Sequence, residues 1–164
     1  MKKHILTCIA LIAGILAFAS CRSNNTATAT YYSFETEYIG TELDGSMTLR
    51  AWGEGNTKRD AVEQAMKQAV YDVIFKGIVR GTSGSDGRPL ITEANAKDKY
   101  RNYFDKFFVD KGDYRHYVNM KDEKANSKQV FENGTVYKYG VTVRVLRSDL
   151  KARLMDDGII KKGE

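Results

Sequence analysis

Between Thr57 and Gly77 the chain places a small apolar residue at every fourth position, Ala61, Ala65, Ala69 and Val73, with Val62, Met66, Val70 and Ile74 in a second line beside it. Residues four apart share a face of an α-helix, so the two lines make one apolar stripe that requires a partner surface. Alanine in the first line removes the bulk that ordinarily separates a helix from its neighbour, which lets the axis come close to a sheet. Thr57 with Asp60 three residues later is a helix-start pattern, a hydroxyl cap with a short acidic partner, and Gly77 can close the far end. Glu63 to Lys67 and Asp72 to Lys76 stand in the favourable i, i+4 order, worth about 0.2–0.5 kcal/mol each, and mark the expected outer face.

The partner sheet is legible in short runs. Tyr31 to Ile39 and Gly45 to Trp52 flank an Asp44-Gly45 turn and predict a hairpin, with Met47, Leu49 and Ala51 on one face and Thr48, Arg50 and Trp52 on the other. Gly53-Glu54-Gly55 is expected to break the second strand. After the long helix, the glycines and the single proline between Gly77 and Pro89 predict a mobile loop, and a second helix is expected from about Glu93 to Val109, ended by Lys111-Gly112. Tyr114 to Met120 alternates as a strand, residues 121–127 are a charged turn, and Asn133-Gly134 joins two further strands. The second of these buries Tyr137, Tyr139, Val141, Val143 and Val145, and a short helix carries Leu150, Leu154 and Met155 up to Gly158. Hairpins grouped with helices predict an α+β domain over residues 31–164: an antiparallel sheet with the alanine-column helix and a second helix packed on one face.

The N-terminal residues specify an address. Lys2 and Lys3 precede an uncharged apolar stretch from Ile5 to Phe18, too short to span a bilayer comfortably, followed by small residues and Cys21. Ala17-Phe18-Ala19-Ser20-Cys21 resembles a bacterial lipobox, with Phe18 where Leu is usual. The resemblance implies a signal peptide over residues 1–20 and a diacylglycerol thioether on Cys21. An uncleaved anchor or an ordinary secretory signal cut elsewhere are the other readings of the same residues. Residues 21–30 are small and polar and predict a flexible tether. Arg22 follows the cysteine where an Asp can signal inner-membrane retention, and no acidic run follows it, so the expected location is the outer membrane, facing the periplasm.

Loss of Lys2 and Lys3 with the signal takes the formal charge from +5 to +3, and the rest mixes both signs, so no nucleic acid partner is expected. Cys8 leaves as well, so Cys21 is the only cysteine of the mature chain and no internal disulfide can form. Stability rests on a conventional core, to which ten Tyr and the six Phe beyond the signal contribute.

The search for chemistry returns little. In Gly53-Glu54-Gly55 the third glycine of a dinucleotide fingerprint would fall on Lys58, and Gly81 to Arg88 lacks the Gly-Lys-Ser/Thr ending of a phosphate loop. His116, the one histidine left after processing, reads as a hydrogen-bonded sheet residue. Asp122-Glu123 and Asp156-Asp157 sit where solvent explains them. No metal site, cofactor or enzymatic activity is expected. Two residues remain as binding candidates: Trp52, a stacking platform or an edge aromatic, and Arg88, in the glycine-rich loop.

Trp52-Gly53-Glu54-Gly55 followed by Ala61, Ala65 and Ala69, and later the strand Tyr139 to Val145 with its leucine helix, is similar to small envelope lipoproteins and to the N-terminal domain of the flagellar-assembly protein T family. The resemblance implies a non-enzymatic assembly or accessory component. The expected function is therefore a lipid-anchored envelope protein acting through contacts with another envelope protein or with itself. The alternative is a periplasmic small-ligand or glycan-binding lipoprotein. Cys21→Ser is expected to abolish lipid labelling and to release the domain from the membrane fraction or leave it as precursor; labelled, membrane-bound mature protein would contradict the lipidation assignment.

Overall fold

A computed structural model describes residues 34–81, 87–121, 129–133 and 136–161, with the side chains of 129–133 outside that description. The signal, Cys21, the tether and Tyr31 to Ser33 lie outside the described residues, as do residues 82–86 of the glycine-rich loop, most of the charged turn and Gly134.

The domain is α+β. Its strands are β1 (Glu37–Thr41), β2 (Met47–Gly55), β3 (Val118–Asn119), β4 (Gln129–Asn133) and β5 (Val136–Val145), all antiparallel in one sheet. β5 is central: β2 pairs along one edge from Tyr137 to Val145, while β4 and β3 share the other. Both expected hairpins are present. In the first, Gly45 takes φ 78° and Asp44 accepts from the Ser46 backbone N–H at 2.8 Å and its hydroxyl at 2.6 Å, which holds the Asp44 carboxyl below its ordinary range. The face of Met47, Leu49 and Ala51 is buried, as are Tyr139, Val141, Val143 and Val145, while Tyr137 is half-buried.

The helix α1 (Lys58–Tyr71) lies on that buried face, chiefly over β2 and then β5. Thr57 caps it, accepting from the Asp60 N–H at 3.1 Å while its hydroxyl donates to the Asp60 carboxylate at 2.7 Å. Ala61, Ala65 and Ala69 are fully buried. Gly53-Glu54-Gly55 corrects an expectation, because β2 runs through to Gly55 without a break. The glycines are there for the helix. A methyl group on Gly53 would stand 2.0 Å from the Ala61 carbonyl oxygen and 2.2 Å from the Ala65 nitrogen, and one on Gly55 would stand 2.8 Å from the Ala61 nitrogen. Strand backbone and helix backbone therefore touch directly, which is the other meaning a strand glycine can have.

At Asp72 the helix widens into a π-turn, Asp72–Lys76, ended by Gly77 at φ 76°. The terminal carbonyls of Val73 and Ile74 accept from the backbone N–H groups of Leu90 (3.0 Å) and Ile91 (2.9 Å), which satisfies groups that a helix end leaves orphaned. The returning chain buries Ile78, Leu90 and Ile91. The limbs of the glycine-rich loop are thus pinned: the Ile78 N–H donates to the Gly87 carbonyl at 2.6 Å, and the Tyr38 N–H to the Arg80 carbonyl at 2.8 Å beside β1.

The second helix is two pieces, α2 (Ala96–Lys99) and α3 (Arg101–Phe107), joined at Tyr100, whose φ of −108° and ψ of 28° leave helical geometry. It begins later than expected because Asn95 adopts φ 64°. Phe104 and Phe107 are buried, and Phe104 meets Phe75 edge-on at 4.7 Å. Tyr114 to Met120 departs from the expected strand. Asp113–Tyr117 is a 3-10 turn followed by the two residues of β3. The three-residue period lets Tyr114 and Tyr117 both turn inward, where a strand's period of two would have separated them. Tyr114 is wholly buried and donates to Glu63, and burial first, then this bond, pushes its hydroxyl well above the ordinary phenol range. Glu63 and Lys67 accordingly hold the turn region instead of each other: Arg115 lies 3.3 Å from Glu63, and Lys67 pairs with Asp110 at 2.9 Å. Finally α4 (Arg147–Asp156) buries Leu150 and Leu154, and Gly158 at φ 72° ends it.

Gly53→Ala is expected to destabilise the domain by about 1–3 kcal/mol, because the added methyl meets helix backbone that cannot rotate away. Gly40→Ala, with nothing within 4 Å of the added carbon, is the control and is expected to be near neutral. Urea unfolding midpoints compare the two.

Candidate functional site

The register of β1 on β2 stops at Glu37↔Arg50, whereas β2 continues to Gly55. Beside this length, which no described strand pairs, and between it and the flank of α1, lies an open cleft of about 990 Å³. Its helical wall is the column Asp60, Gln64, Gln68 and Asp72, one step around from the alanine line, and Lys76, Gly77 and Arg80 close one end.

Asp72 is the buried anchor of that wall. The Thr36 hydroxyl donates to it at 2.5 Å and the Gln68 amide at 2.7 Å, with the Lys76 ammonium 3.5 Å away. Asp72 was expected on the outer face and is instead 5% exposed. The reason is that residues 34–36 pass along this flank of α1 and cover what an isolated helix would present to water. Asp60 is committed to the Thr57 cap, and Gln64 is exposed with no hydrogen bond among the described residues.

Trp52 also lines the cleft. Its cross-strand partner is Gly140, and a methyl group there would fall 2.9 Å from the six-membered ring, so the indole lies against glycine backbone. Phe34 meets it edge-on at 5.1 Å. The Lys138 ammonium sits 3.6 Å from the centre of the Phe34 ring and 3.5 Å from the Glu54 carboxylate. This is an aromatic corner with a fixed cation.

A second groove of about 770 Å³ separates α1 from α3, floored by Tyr71, Phe75, Phe104 and Phe108. Its cations are already engaged: Lys97 lies over the Tyr71 ring at 5.1 Å, Arg101 pairs with Asp98 at 2.7 Å and Lys67 with Asp110.

Of the two binding candidates, the structure places Trp52 in the cleft and Arg88 outside it. Arg88 is exposed, and its carbonyl accepts from the Arg147 guanidinium at 3.0 Å. His116, expected on a strand, is exposed on the 3-10 turn. Among the described residues no three His, Cys, Asp or Glu side chains come together in a way that could hold a metal ion, and no helix is long and apolar enough to cross a membrane. The sequence reading missed the polar column, although its four-residue spacing is as regular as that of the alanines beside it. No family model, curated protein or solved structure matches the chain.

Asp72→Ala is expected to cost about 1–3 kcal/mol, because the Thr36 hydroxyl and Gln68 amide lose a buried acceptor. Gln64→Ala in the same wall is expected to be near neutral, and thermal unfolding of both variants checks the contrast.

Proposed function

We propose that the chain is a lipid-anchored, non-enzymatic component of the cell envelope that acts through protein contacts, holding its partner in the cleft between α1 and the end of β2. The observation that carries this reading is the cleft itself: an open, polar-walled groove beside β2, lined by Phe34, Trp52 and the polar column of α1. The lipobox-like residues ending in Cys21 support membrane attachment, and Arg22 after the cysteine supports delivery to the outer membrane with the body in the periplasm. A partner protein or a second copy of this chain fits the mixed charge of the surface, and no cofactor is needed for such a role.

One observation favours a second reading. Trp52 lies against Gly140 at the rim of the same cleft, beside Phe34, and an aromatic ring near amides and carboxylates is also how a sugar or small planar ligand is held.

Detergent-solubilised membranes and chemical cross-linking separate these readings. The first expects a discrete partner or a dimer of the full-length chain, recovered at least about tenfold less with Trp52→Ala while far-UV circular dichroism is unchanged. Loss of recovery with Arg88→Ala alone would move the interface to the glycine-rich loop. A clean monomer that binds oligosaccharide through Trp52 would replace the first reading with the second.

A further inference from the structure

We propose that the groove between α1 and α3 is a second binding site, which takes a small aromatic molecule carrying one carboxylate, its ring on the groove's aromatic floor and its carboxylate at Lys97. The inference does not depend on the cleft beside β2 holding a partner.

The floor comes from the core. Phe104 is buried, but Tyr71, Phe75 and Phe108, whose rings lie against one another and against Phe104, are only half-buried. Water therefore still meets aromatic surface that the fold has gathered in one place, and the groove's volume of about 770 Å³ is in the range of small-molecule sites. The rings meet at angles, 47° at 4.9 Å for Tyr71 and Phe75, 57° at 6.0 Å for Tyr71 and Phe108, and 68° at 4.7 Å for Phe75 and Phe104. Tilted packing leaves both faces and edges along the groove, the two arrangements in which a further ring gains more than its buried area alone. A saturated body of the same size gains only the area.

The charges of the groove leave one cation without an anion. Lys67 is answered by Asp110 at 2.9 Å, Arg101 by Asp98 at 2.7 Å, and Lys76, which overlies the Tyr71 ring at 5.8 Å, by Asp72 at 3.5 Å. Lys97 has no carboxylate partner among the described residues. Its ammonium lies 5.1 Å from the centre of the Tyr71 ring and donates to the Tyr71 hydroxyl at 3.4 Å. A ring face and a long hydrogen bond hold this cation in place without neutralising it, so an anion brought here finds a full counter-charge beside the aromatic floor.

The rest of the lining limits the ligand to one negative charge. Asp98 and Asp105 stand three residues before Arg101 and four after it, so one guanidinium answers two carboxylates. A dianion such as a phosphate monoester would be repelled by that surplus, whereas one carboxylate is matched by one ammonium. Gln64 and Gln68, which line this groove and the cleft alike, offer amides to a further polar group of the ligand.

The test is equilibrium dialysis of 2-naphthoate against the full-length chain in lipid nanodiscs, with empty nanodiscs as the blank. Saturable binding is expected, weakened about tenfold by Lys97→Gln and kept by Lys97→Arg. The neutral 2-naphthamide should bind the parent chain about tenfold more weakly than 2-naphthoate, and should bind Lys97→Gln as well as it binds the parent, which a merely structural effect of the substitution would not produce. Decahydronaphthalene-2-carboxylate, with the same charge and no aromatic ring, should bind about fivefold more weakly than 2-naphthoate. Binding no greater than to empty nanodiscs overturns the proposal, as does binding that ignores Lys97 or favours the saturated acid. If Lys97→Gln does not fold, the comparison of naphthoate with naphthamide on the parent chain decides, and equal affinity for the two overturns the proposal. Trp52→Ala, in the other cleft, should bind 2-naphthoate as the parent chain does; loss of binding there would move the ligand to that cleft and overturn this site.

Discussion

The contact between the end of β2 and the start of α1 is made by backbone on both sides. Gly53 faces the Ala61 carbonyl and the Ala65 nitrogen with no room for a methyl group, and Gly55 faces Ala61 and Asp60 in the same way. Because neither surface has side chains that could repack, the position and rotation of the helix are set to within a fraction of an ångström. The other features described here depend on that rotation. With the alanines turned onto the sheet, the next column, Asp60, Gln64, Gln68 and Asp72, must face the β2 edge, and the column on the opposite flank brings Glu63 and Lys67 to Tyr114, Arg115 and Asp110.

The π-turn at Asp72–Lys76 follows from the same docking. It ends the helix where Val73 and Ile74 are buried and presents their carbonyls to Leu90 and Ile91, so the chain leaving the helix folds back beneath it. That return seals the aromatic core around Phe75 and Phe104 and leaves Gly77 and Arg80 at one end of the cleft. π-turns gather at functional positions because they turn side chains out of the regular α-helical register. Here the residue affected is Asp72, which ties Thr36 and Gln68 into the cleft wall.

Much of the fold is legible in the chain before any coordinates. The alanine column, the Thr57 cap, the pairing of β1 with β2 across Asp44-Gly45, that of β4 with β5, and the buried Tyr139, Val141, Val143 and Val145 are local patterns with local causes, although β1 begins at Glu37 and not at Tyr31 and Tyr137 is only half-buried. Apart from the second helix, delayed by Asn95 and split at Tyr100, the departures involve information from elsewhere in the fold. Gly53 and Gly55 resemble a strand break until the helix that needs them is in place. Tyr114, His116 and Val118 alternate like a strand, but Tyr114 and Tyr117 are both wanted inward and a 3-10 turn provides that. Asp72 matches an exposed i, i+4 pair, and only residues 34–36, arriving from a distant part of the chain, bury it. Of the site, Trp52 was recognisable as an aromatic beside glycines, whereas the glutamine column was indistinguishable from the polar surface of any amphipathic helix until β2 proved to extend past β1.

If helix and sheet are one unit joined backbone to backbone, they must open together. Native-state hydrogen exchange in increasing urea measures this most directly, residue by residue. The account expects the slowest amides of α1, from Ala65 to Val70, to exchange with the same free energy and the same urea dependence as those of Leu49 to Gly53 and Val141 to Val145. Exchange of α1 through a separate, lower-energy opening, while β2 and β5 remain protected, would contradict it.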